Sequence, residues 1–340
     1  MSHIASGAEP NSAVPLLAIE DLHLSFRKPL GLVDRLRGMP RRDVHALNGI
    51  SLTLDAGETI GIVGESGCGK STLARAIVGL NRPDRGRILF KGRDVSGLKG
   101  DERRAFNRQV QMVFQDPYTS LNPRMRVEDM LGEALRVHRM RPDQEIPKRI
   151  HALLDLVRLP RDAALKYPHE FSGGQRQRIS IARALAVEPS CIVADELVSA
   201  LDVSVQAQVV NLLLELQREL RLAILFVAHD LRLVRHISHQ VAVIYLGSIV
   251  ESGPAEAIFA RQQHPYSRAL IEAAPSLDPD ARRAAPAIKG ELPSPMAIPP
   301  GCPFHVRCQS ALARCTSEKP DLVPSGGGAV ACHRAGEPGW

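Results

Sequence analysis

The chain has 340 residues, which suits two domains or one domain with an appendage, and its hydrophobic content of 44% is ample for a core. Its formal net charge of +6 is a mild excess, far from the dense basic stripe of a nucleic-acid-binding protein. No stretch approaches the roughly 18 apolar residues of a membrane span, and the N-terminus lacks a signal-peptide pattern. We therefore expect a cytoplasmic location, no nucleic-acid partner, and six cysteines that are thiols or metal ligands rather than disulfides.

The N-terminal part of the chain predicts strands separated by a loop. Residues 1–15 are rich in Ser, Ala and Pro and are expected to be disordered. Apolar residues alternate with polar ones over residues 16–26, and residues 46–54 also have strand character. Between them, residues 27–43 carry an excess of basic residues and two prolines. This pattern predicts a loop insertion, either solvated or in contact with lipid headgroups or a membrane partner.

A glycine-rich stretch, G-x-x-x-x-G-K-[ST], follows the apolar run at residues 60–63 and precedes the helical pattern of residues 72–80. A strand, this stretch and a helix together indicate a P-loop rather than a plain glycine-rich turn. In a P-loop the backbone N–H groups point at phosphate oxygens, the lysine reaches the β- and γ-phosphates, and the serine hydroxyl can ligate Mg²⁺. The residues predicted to surround the nucleotide phosphates are Gly64, Glu65, Ser66, Gly67, Cys68, Gly69, Lys70, Ser71 and Thr72.

The rest of the chain alternates strands and helices, which indicates a mainly parallel sheet. The predicted strands are 87–90, 110–114, 191–194, 223–228 and 241–245, and the predicted helices are 174–187, 203–221 and one that starts at residue 230. Residues 116–170 are helical in pattern and punctuated by prolines, which predicts a helical subdomain inserted in the α/β core. From residue 275 onward, many prolines and four of the six cysteines mark a tail with little regular structure.

Two polar motifs in the second half suit nucleotide hydrolysis. Residues 171–175 (Phe-Ser-Gly-Gly-Gln) precede a helix, and their small side chains leave the N–H groups of the helix start open to an anion. The apolar strand over residues 191–195 ends in Asp195, a carboxylate that suits Mg²⁺. Glu196 follows and is expected on the opposite face of the extended chain, where it can polarise water.

Together with residues 199–202 and His229, these motifs resemble the ATP-binding subunit of an ABC transporter over residues 16–273. The matching segments are the Walker A motif 64–71, the Q-loop Gln115, the signature 171–175, the Walker B motif 191–195, the D-loop 199–202 and the His-switch His229. The resemblance implies an α/β fold with a P-loop NTPase core, an antiparallel β subdomain, an inserted helical subdomain (116–170) and a cysteine-containing C-terminal extension (274–340). Further stretches are similar to the oligopeptide/dipeptide importer branch, in particular its second ATPase: 115–123, 167–172, 199–208, 264–270 and 290–295.

The resemblance also implies roles for residues. Two such subunits meet head to tail, and each ATP lies between the P-loop of one and the signature of the other. Ser71, Gln115 and Asp195 would hold Mg²⁺, Glu196 would be the general base, and His229 would contact the γ-phosphate. The residues that would act on the partner's ATP are Ser172, Gly173, Gly174, Gln175 and Asp202.

Three positions carry less common residues. Phe26 occupies the position of the aromatic that stacks on adenine, where the family more often has Tyr, and it is either that residue or a core residue. Leu197 stands where the family usually has Pro, which bears on the placement of Glu196 and not on any catalytic atom. Phe171 begins the signature in place of the commoner Leu, a conservative change in a residue expected to pack beneath the loop.

The implied function is ATP-driven import of peptides or related small solutes by a peripheral subunit on the cytoplasmic face of the plasma membrane. The implied partners are a paralogous ATPase subunit rather than a second copy, two polytopic membrane permeases and an extracytoplasmic solute-binding protein. One alternative is a soluble, non-transport ABC ATPase that remodels a nucleoprotein. Another is a P-loop switch or kinase, against which the signature at residues 171–175 argues.

The C-terminal tail carries Cys302, Cys308, Cys315 and Cys332. In some members of the resembled branch, four such cysteines hold a [4Fe–4S] cluster, and four thiolates also suit zinc. The absence of any C-x-x-C pair disfavours a zinc ribbon, and metal-free thiols stay a third possibility. Because the tail is expected to lie outside the nucleotide core, we expect ATP binding to survive the loss of any of these cysteines.

The two remaining cysteines have simpler explanations. Cys68 is expected to be a small spacer in the P-loop, with its side chain turned away from the phosphates. Cys191 begins an apolar strand and is expected to be a buried core residue.

Overall fold

A computed structural model gives the fold over residues 14–27, 43–116, 120–273 and 290–337. The expected disorder of residues 1–13, the basic loop over residues 28–42 and the start of the C-terminal extension over residues 274–289 lie outside the described residues. Within the described ranges, no helix is long and apolar enough to cross a membrane.

The elements follow one another as an α/β chain. The strands are β1 (Leu17–Phe26), β2 (Val44–Leu54), β3 (Thr59–Val63), β4 (Arg85–Phe90), β5 (Arg93–Asp94), β6 (Val110–Val113), β7 (Cys191–Asp195), β8 (Ala223–Val227), β9 (Gln240–Tyr245), β10 (Ser248–Pro254), β11 (Val323–Ser325) and β12 (Gly328–Val330). The helices are α1 (Lys70–Ile77), α2 (Gly100–Gln109), α3 (Val127–Val137), α4 (Ile146–Leu156), α5 (Gly173–Leu185), α6 (Val203–Leu220), α7 (Leu231–Ile237), α8 (Ala255–Ala260) and α9 (Pro265–Glu272).

The first sheet is antiparallel and has the described strand order β2-β1-β4-β5. Leu17 pairs with Leu54 of β2 on one side and with Phe90 of β4 on the other. Along β1, apolar residues that include Leu22 and Leu24 are buried, as the alternating pattern predicts. The predicted antiparallel β subdomain is confirmed.

The second sheet has the described strand order β11-β12-β10-β9-β3-β8-β7-β6. Its pairs β9–β3, β3–β8, β8–β7 and β7–β6 are parallel, which confirms the predicted mainly parallel sheet. Every residue of β3, β7 and β8 is buried. Strands buried on both faces are nearly continuous apolar runs, and such runs are easily predicted from the sequence.

Residues 116–170 contain the helices α3 and α4 and short 3₁₀ segments. Both helices are amphipathic: Leu131 and Leu135 of α3, and Leu153 and Leu154 of α4, are fully buried. These leucines belong to the same apolar cluster as α5 and the parallel strands. The helical insertion is therefore held to the core by burial of its apolar faces.

The C-terminal extension is more ordered than the sequence suggests. The short strands β11 and β12 form a hairpin, and β12 pairs with β10 through Glu251 and Val330. Val330 is fully buried. The expectation of a tail with little regular structure is therefore wrong for this hairpin, because three-residue strands are too short to give an alternating pattern.

The close approach of β12 to β10 predicts a sensitive glycine. A Cβ added at Gly328 would overlap the Ser252 carbonyl oxygen and lie 3.0 Å from the Gly253 Cα. We expect Gly328→Ala to destabilise the hairpin by roughly 1–3 kcal/mol, as overpacking does. Hydrogen exchange of residues 323–330 should accelerate in this variant. The matched control is Gly97→Ala, where an added Cβ meets nothing within 4 Å; equal exchange in both variants would contradict the pairing.

Candidate nucleotide-binding and hydrolysis site

Four parallel strands end side by side at one edge of the second sheet. In the register, Val227 of β8 lies opposite both Ile62 of β3 and Asp195 of β7, and Ala194 of β7 lies opposite Val113 of β6. The segments that follow these strands carry the P-loop, His229, Glu196 and Gln115. In open α/β sheets, ligands bind at the carboxyl ends of the strands. The sheet thus brings these predicted residues to a common edge.

The P-loop between β3 and α1 depends on two glycines. Gly64 has φ 151° and Gly69, the N-cap of α1, has φ 111°, a backbone region that L side chains rarely adopt. A Cβ at Gly64 would overlap the Ile244 carbonyl oxygen, and one at Gly69 would overlap the Ala46 carbonyl oxygen. Glycine is therefore required on both steric and conformational grounds, and its use lets the loop turn directly into the helix.

The Lys70 ammonium is held inside the loop. Lys70 is 4% exposed, and its Nζ donates to the carbonyl oxygens of Gly64 at 2.8 Å and Glu65 at 3.0 Å. Cys68 is buried in the core beneath the loop, as the spacer prediction requires, and burial raises the pKa of its thiol. The loop therefore presents a buried cation and the N-terminus of α1, and both attract an anion.

A hydrogen bond joins the end of the P-loop to the end of β7. The Ser71 hydroxyl donates to Asp195 Oδ1 at 2.8 Å. Asp195 is 3% exposed, and its burial raises the pKa of the carboxyl above its usual value, although the Ser71 hydrogen bond opposes that shift. A hydroxyl and a buried carboxylate in contact are oxygen ligands of the kind that Mg²⁺ takes.

Glu196 departs from the extended geometry expected after Asp195. Its φ is 47°, a left-handed conformation that typically costs about 1–3 kcal/mol in a non-glycine residue. Its N–H donates to the Val227 carbonyl oxygen at 2.9 Å, and its own carbonyl oxygen accepts from the Ser199 N–H at 3.1 Å. Leu197, in the place of the usual proline, is 1% exposed and packs in the core. The buried Leu197 and these hydrogen bonds hold Glu196 in its strained conformation.

Gln115 and the D-loop meet beside Glu196. The Gln115 amide nitrogen donates to Ser199 Oγ at 3.3 Å, and Ser199 Oγ donates to the Glu196 carbonyl oxygen at 3.0 Å. His229 is exposed just after β8. Phe26, the last residue of β1, is 44% exposed, so its alternative interpretation as a core residue is wrong.

The signature lies at the N-terminus of α5. Ser172 is the N-cap: its Oγ accepts from the Gln175 N–H at 3.4 Å, while Gln175 Oε1 accepts from the Ser172 N–H at 3.0 Å. Both residues are exposed, whereas Phe171 before them is buried in the core. A Cβ at Gly174 would overlap the Val205 side chain. Asp202, the exposed N-cap of α6, lies at the end of the D-loop.

Glu65 is held by contacts that no sequence pattern predicts. Arg307 Nη1 and Nη2 donate to the two carboxylate oxygens of Glu65 at 2.7 and 2.9 Å. The Glu65 N–H donates to the Tyr266 hydroxyl oxygen at 2.8 Å. Arg307 lies in the C-terminal extension, so the expectation that the extension lies outside the nucleotide core is wrong. No local pattern could reveal a contact between residues 242 positions apart.

The four cysteines of the extension lie near one another. The Cys302 N–H donates to the Cys315 carbonyl oxygen at 2.9 Å, and Cys308 and Cys332 are close enough to influence the ionisation of neighbouring thiols. Burial raises the pKa of Cys302 to about 11 and raises the pKa of Cys308 and Cys332 as well. Even so, the part of the chain that the structure describes contains no group of three or more His, Cys, Asp or Glu residues arranged to hold a metal ion. The arrangement does not support the predicted metal site.

Comparison with known proteins agrees with the motifs. Residues 47–199 match the ABC transporter family, and residues 250–315 match the oligopeptide/dipeptide transporter C-terminal region. The probable peptide ABC transporter ATP-binding protein y4tS of Sinorhizobium fredii is 52% identical over 85% of this chain and 82% of its own. The di/tripeptide transport ATP-binding protein DppF of Pseudomonas aeruginosa is 48% identical, over 86% and 90%. The oligopeptide transport ATP-binding protein OppF of Escherichia coli is 47% identical, over 93% and 95%.

Solved structures share the fold. CbiO1 of Clostridium perfringens, part of the ABC transporter complex CbiONQ, matches with a TM-score of 0.62 at 29% identity over 73% of this chain and 92% of its own. The ATP-binding cassette MJ0796, a dimer in a post-hydrolysis state bound to ADP and Pi, matches with a TM-score of 0.60 at 26% identity, over 70% and 98%. The motifs at the sheet edge and these similarities lead to one conclusion: the chain belongs to the ABC transporter family of ATP-binding subunits, in its oligopeptide/dipeptide branch.

Proposed function

We propose that this chain is the ATP-hydrolysing subunit of a membrane importer for peptides or related small solutes. The observation that carries the proposal is the convergence of the P-loop, the Ser71–Asp195 pair, Glu196 and Gln115 at one sheet edge. Peptide cargo is supported by relatives whose names are those of peptide transport ATP-binding proteins and by the match of residues 250–315. The alternative of a nucleoprotein-remodelling ATPase has no comparable support.

The loop from Gly64 to Thr72 would hold the phosphates of ATP through its N–H groups, the α1 N-terminus and Lys70. Ser71, Asp195 and Gln115 would hold Mg²⁺, and the Ser71–Asp195 contact at 2.8 Å fits an all-oxygen ligand set. When bound, the cation would neutralise charge on the phosphate oxygens. Phe26 would stack on the adenine, and its exposure at the end of β1 suits that role.

Hydrolysis would depend on positioning and on one proton transfer. Glu196 would accept the proton of the attacking water. The hydrogen bonds to its backbone fix the position from which its side chain projects. Gln115 would report the state of the γ-phosphate to the D-loop through Ser199. His229 would contact the γ-phosphate from the end of β8.

The complete site would need a second ATPase subunit. The residues that would act on the partner's ATP are Ser172, Gly173, Gly174, Gln175 and Asp202. The exposure of Ser172 and Gln175 at a helix N-terminus supports this role, because their polar side chains and the positive end of the helix can face the phosphates of another chain's ATP. The similar cassette that was solved as a dimer with ADP and Pi supports a two-subunit arrangement. We place a paralogous subunit, rather than a second copy, in that position.

The membrane partner would dock in a groove between β6 and the helical insertion. A cavity of about 380 Å³ there is lined by Met112, Phe114 and Val137 among others, and Leu80 also borders it. Leu80 and Val137 are 62% and 58% exposed, so the groove offers apolar surface to a partner helix. Gln115 directly follows the groove residue Phe114, which would couple nucleotide state to the membrane subunit. The chain would then lie at the cytoplasmic face of the membrane, beneath two permeases served by an extracytoplasmic solute-binding protein.

The four cysteines of the extension would hold a [4Fe–4S] cluster with a structural or assembly role. Four thiolates are the ligand set that such a cluster takes, and zinc stays the alternative because it takes the same four ligands. The proposal rests on this ligand set and on the resemblance alone, because the described residues include no group of three or more His, Cys, Asp or Glu placed to hold a metal ion. Bound thiolates would release protons, because burial now favours the neutral thiols.

The first test concerns the general base. We expect Glu196→Gln to keep ATP binding while hydrolysis drops by roughly 10²-fold or more, because the amide cannot take a proton from water. Steady-state phosphate release and binding of a fluorescent ATP analogue measure the two effects. The control is Glu219→Gln on the exposed part of α6, which should hydrolyse ATP at the wild-type rate. ATP turnover by Glu196→Gln near the wild-type rate would show that another residue is the general base, and His229 would be the next candidate.

The second test concerns the membrane partner. We expect Val137→Lys to abolish co-purification with the membrane subunits, because it puts a charge in the apolar groove, while binding of ATP to the isolated chain is unchanged. The matched control is Leu165→Lys, which is equally exposed at 58% but does not line the groove. Equal recovery of membrane subunits by the two variants would contradict the docking site.

The third test concerns the cysteines. Protein purified without oxygen should be brown and contain about four iron and four sulfide ions per chain, the stoichiometry of one four-cysteine site. Serine at any one of Cys302, Cys308, Cys315 and Cys332 should remove most of the colour, whereas Cys191→Ser should not, because Cys191 is buried in β7. A colourless anaerobic preparation with one zinc ion per chain would contradict the cluster and indicate a structural zinc site instead.

A further inference from the structure

Glu65 places a negative charge where the proposed function needs to bind anions. It is the second residue of the P-loop, next to Gly64, and its carbonyl oxygen accepts from Lys70 Nζ at 3.0 Å. An unpaired carboxylate at this point would repel the triphosphate of ATP, since like charges a few ångströms apart destabilise each other strongly in a partly buried site. The loop therefore needs a partner that neutralises Glu65.

Arg307 supplies that partner. Its guanidinium forms a two-point ion pair with Glu65, with N–O distances of 2.7 and 2.9 Å, and the side chains are 5% and 24% exposed. Nη1 also donates to the Tyr245 hydroxyl at 3.4 Å, and Nη2 to the Gly290 carbonyl oxygen at 3.1 Å. A bidentate, partly buried arginine–carboxylate pair fixes orientation as well as charge. Glu65 is therefore held in one rotamer from outside the loop.

The extension delivers Arg307 by a short, packed turn. Arg307 lies directly before Cys308, and its N–H donates to the Phe304 carbonyl oxygen at 2.9 Å. The Phe304 ring packs against Tyr245 and Tyr266, with centroid distances of 5.2 and 5.4 Å. Tyr266 in turn accepts the Glu65 N–H at 2.8 Å. The backbone of Glu65 thus contacts an aromatic cluster that the extension completes, and its side chain is tied to the same cluster through Arg307, which donates to the Tyr245 hydroxyl.

We propose that Arg307 is a positioning residue of the nucleotide site, through which the C-terminal extension sets the affinity of the P-loop for ATP. Arg307 acts through Glu65: it cancels the carboxylate charge and holds the first turn of the loop in its phosphate-binding shape. The inference rests on the proposed binding of ATP by this loop. It goes beyond that proposal because it assigns the C-terminal extension a role in nucleotide binding.

A double-mutant cycle tests this role in the full chain, with a fluorescent ATP analogue as the probe. Arg307→Met should weaken binding by about tenfold, because it frees the Glu65 carboxylate beside the phosphates. Glu65→Gln alone should not weaken binding, because it removes the negative charge and leaves the Arg307 cation to attract the phosphates. The double variant should return to within about threefold of wild type, because no charge is left to neutralise. Arg307→Lys keeps the positive charge but cannot form the two-point ion pair, so its affinity for the analogue should lie between those of wild type and Arg307→Met.

A role of Arg307 in packing alone would give the same loss of affinity with and without Glu65→Gln, and that result would overturn the proposal. So would wild-type affinity in Arg307→Met. If Arg307→Met does not fold, the double variant and Arg307→Lys provide the test. Weak ATP binding by the folded double variant would contradict the proposal. So would ATP binding by Arg307→Lys that is as weak as in a binding-deficient control.

Two controls separate this inference from the proposed function. Arg334→Met removes an ion pair that lies within the extension, Arg334–Glu337 at 2.9 Å, and should leave affinity unchanged. Lys70→Ala should abolish binding of the analogue. If wild type does not bind, or Lys70→Ala binds equally well, the proposed function fails. If these two behave as expected while Arg307→Met binds like wild type, only the role of Arg307 fails.

Discussion

The register of the parallel strands is the constraint on which the site depends. Ile62, Val227 and Asp195 lie in one row across β3, β8 and β7, and the Ser71–Asp195 hydrogen bond of 2.8 Å spans from the P-loop helix to that row. These strands are buried on both faces, so a slip of one residue would move each side chain to the opposite packed face, disrupt the packing there and separate the two oxygens. Hydrophobic burial thus sets the positions of groups that do polar chemistry. The strained backbone of Glu196 is kept by the same packing, through buried Leu197.

The proposed nucleotide site draws on distant parts of the chain. The sheet edge provides the P-loop and the carboxylates, α5 presents the signature at an exposed helix start, and the extension clamps Glu65 through Arg307. The extension reaches the core by two routes, the β12–β10 pairing and the aromatic cluster around Phe304. The extension therefore contacts the P-loop directly, and this contact is the basis of its proposed effect on ATP affinity.

Elements with strong local signals could be predicted from the sequence, and contacts between distant segments could not. The P-loop, the apolar strands β7 and β8 and the helix α6 each carry a motif or a long periodic pattern, and the structure has them within a residue or two of the expected bounds. The helix α2 is polar and Phe106 is its one buried residue, so its apolar pattern is too weak to predict a helix. The Glu65–Arg307 pair has no local signal at either end. The cysteine spacing indicated a metal site, yet spacing alone does not set the distances between thiols.

If ATP bound at this sheet edge powers solute import, uptake of a labelled peptide measures the coupling directly. The complex of this chain with its co-purifying membrane subunits would be placed in proteoliposomes that enclose ATP and Mg²⁺, with the solute-binding protein outside. The account predicts peptide accumulation in proportion to ATP consumed, and loss of both to background when Lys70, the buried cation of the P-loop, is replaced by alanine. Accumulation that persists in the Lys70→Ala complex, or ATP consumption unaffected by the substitution, would contradict it.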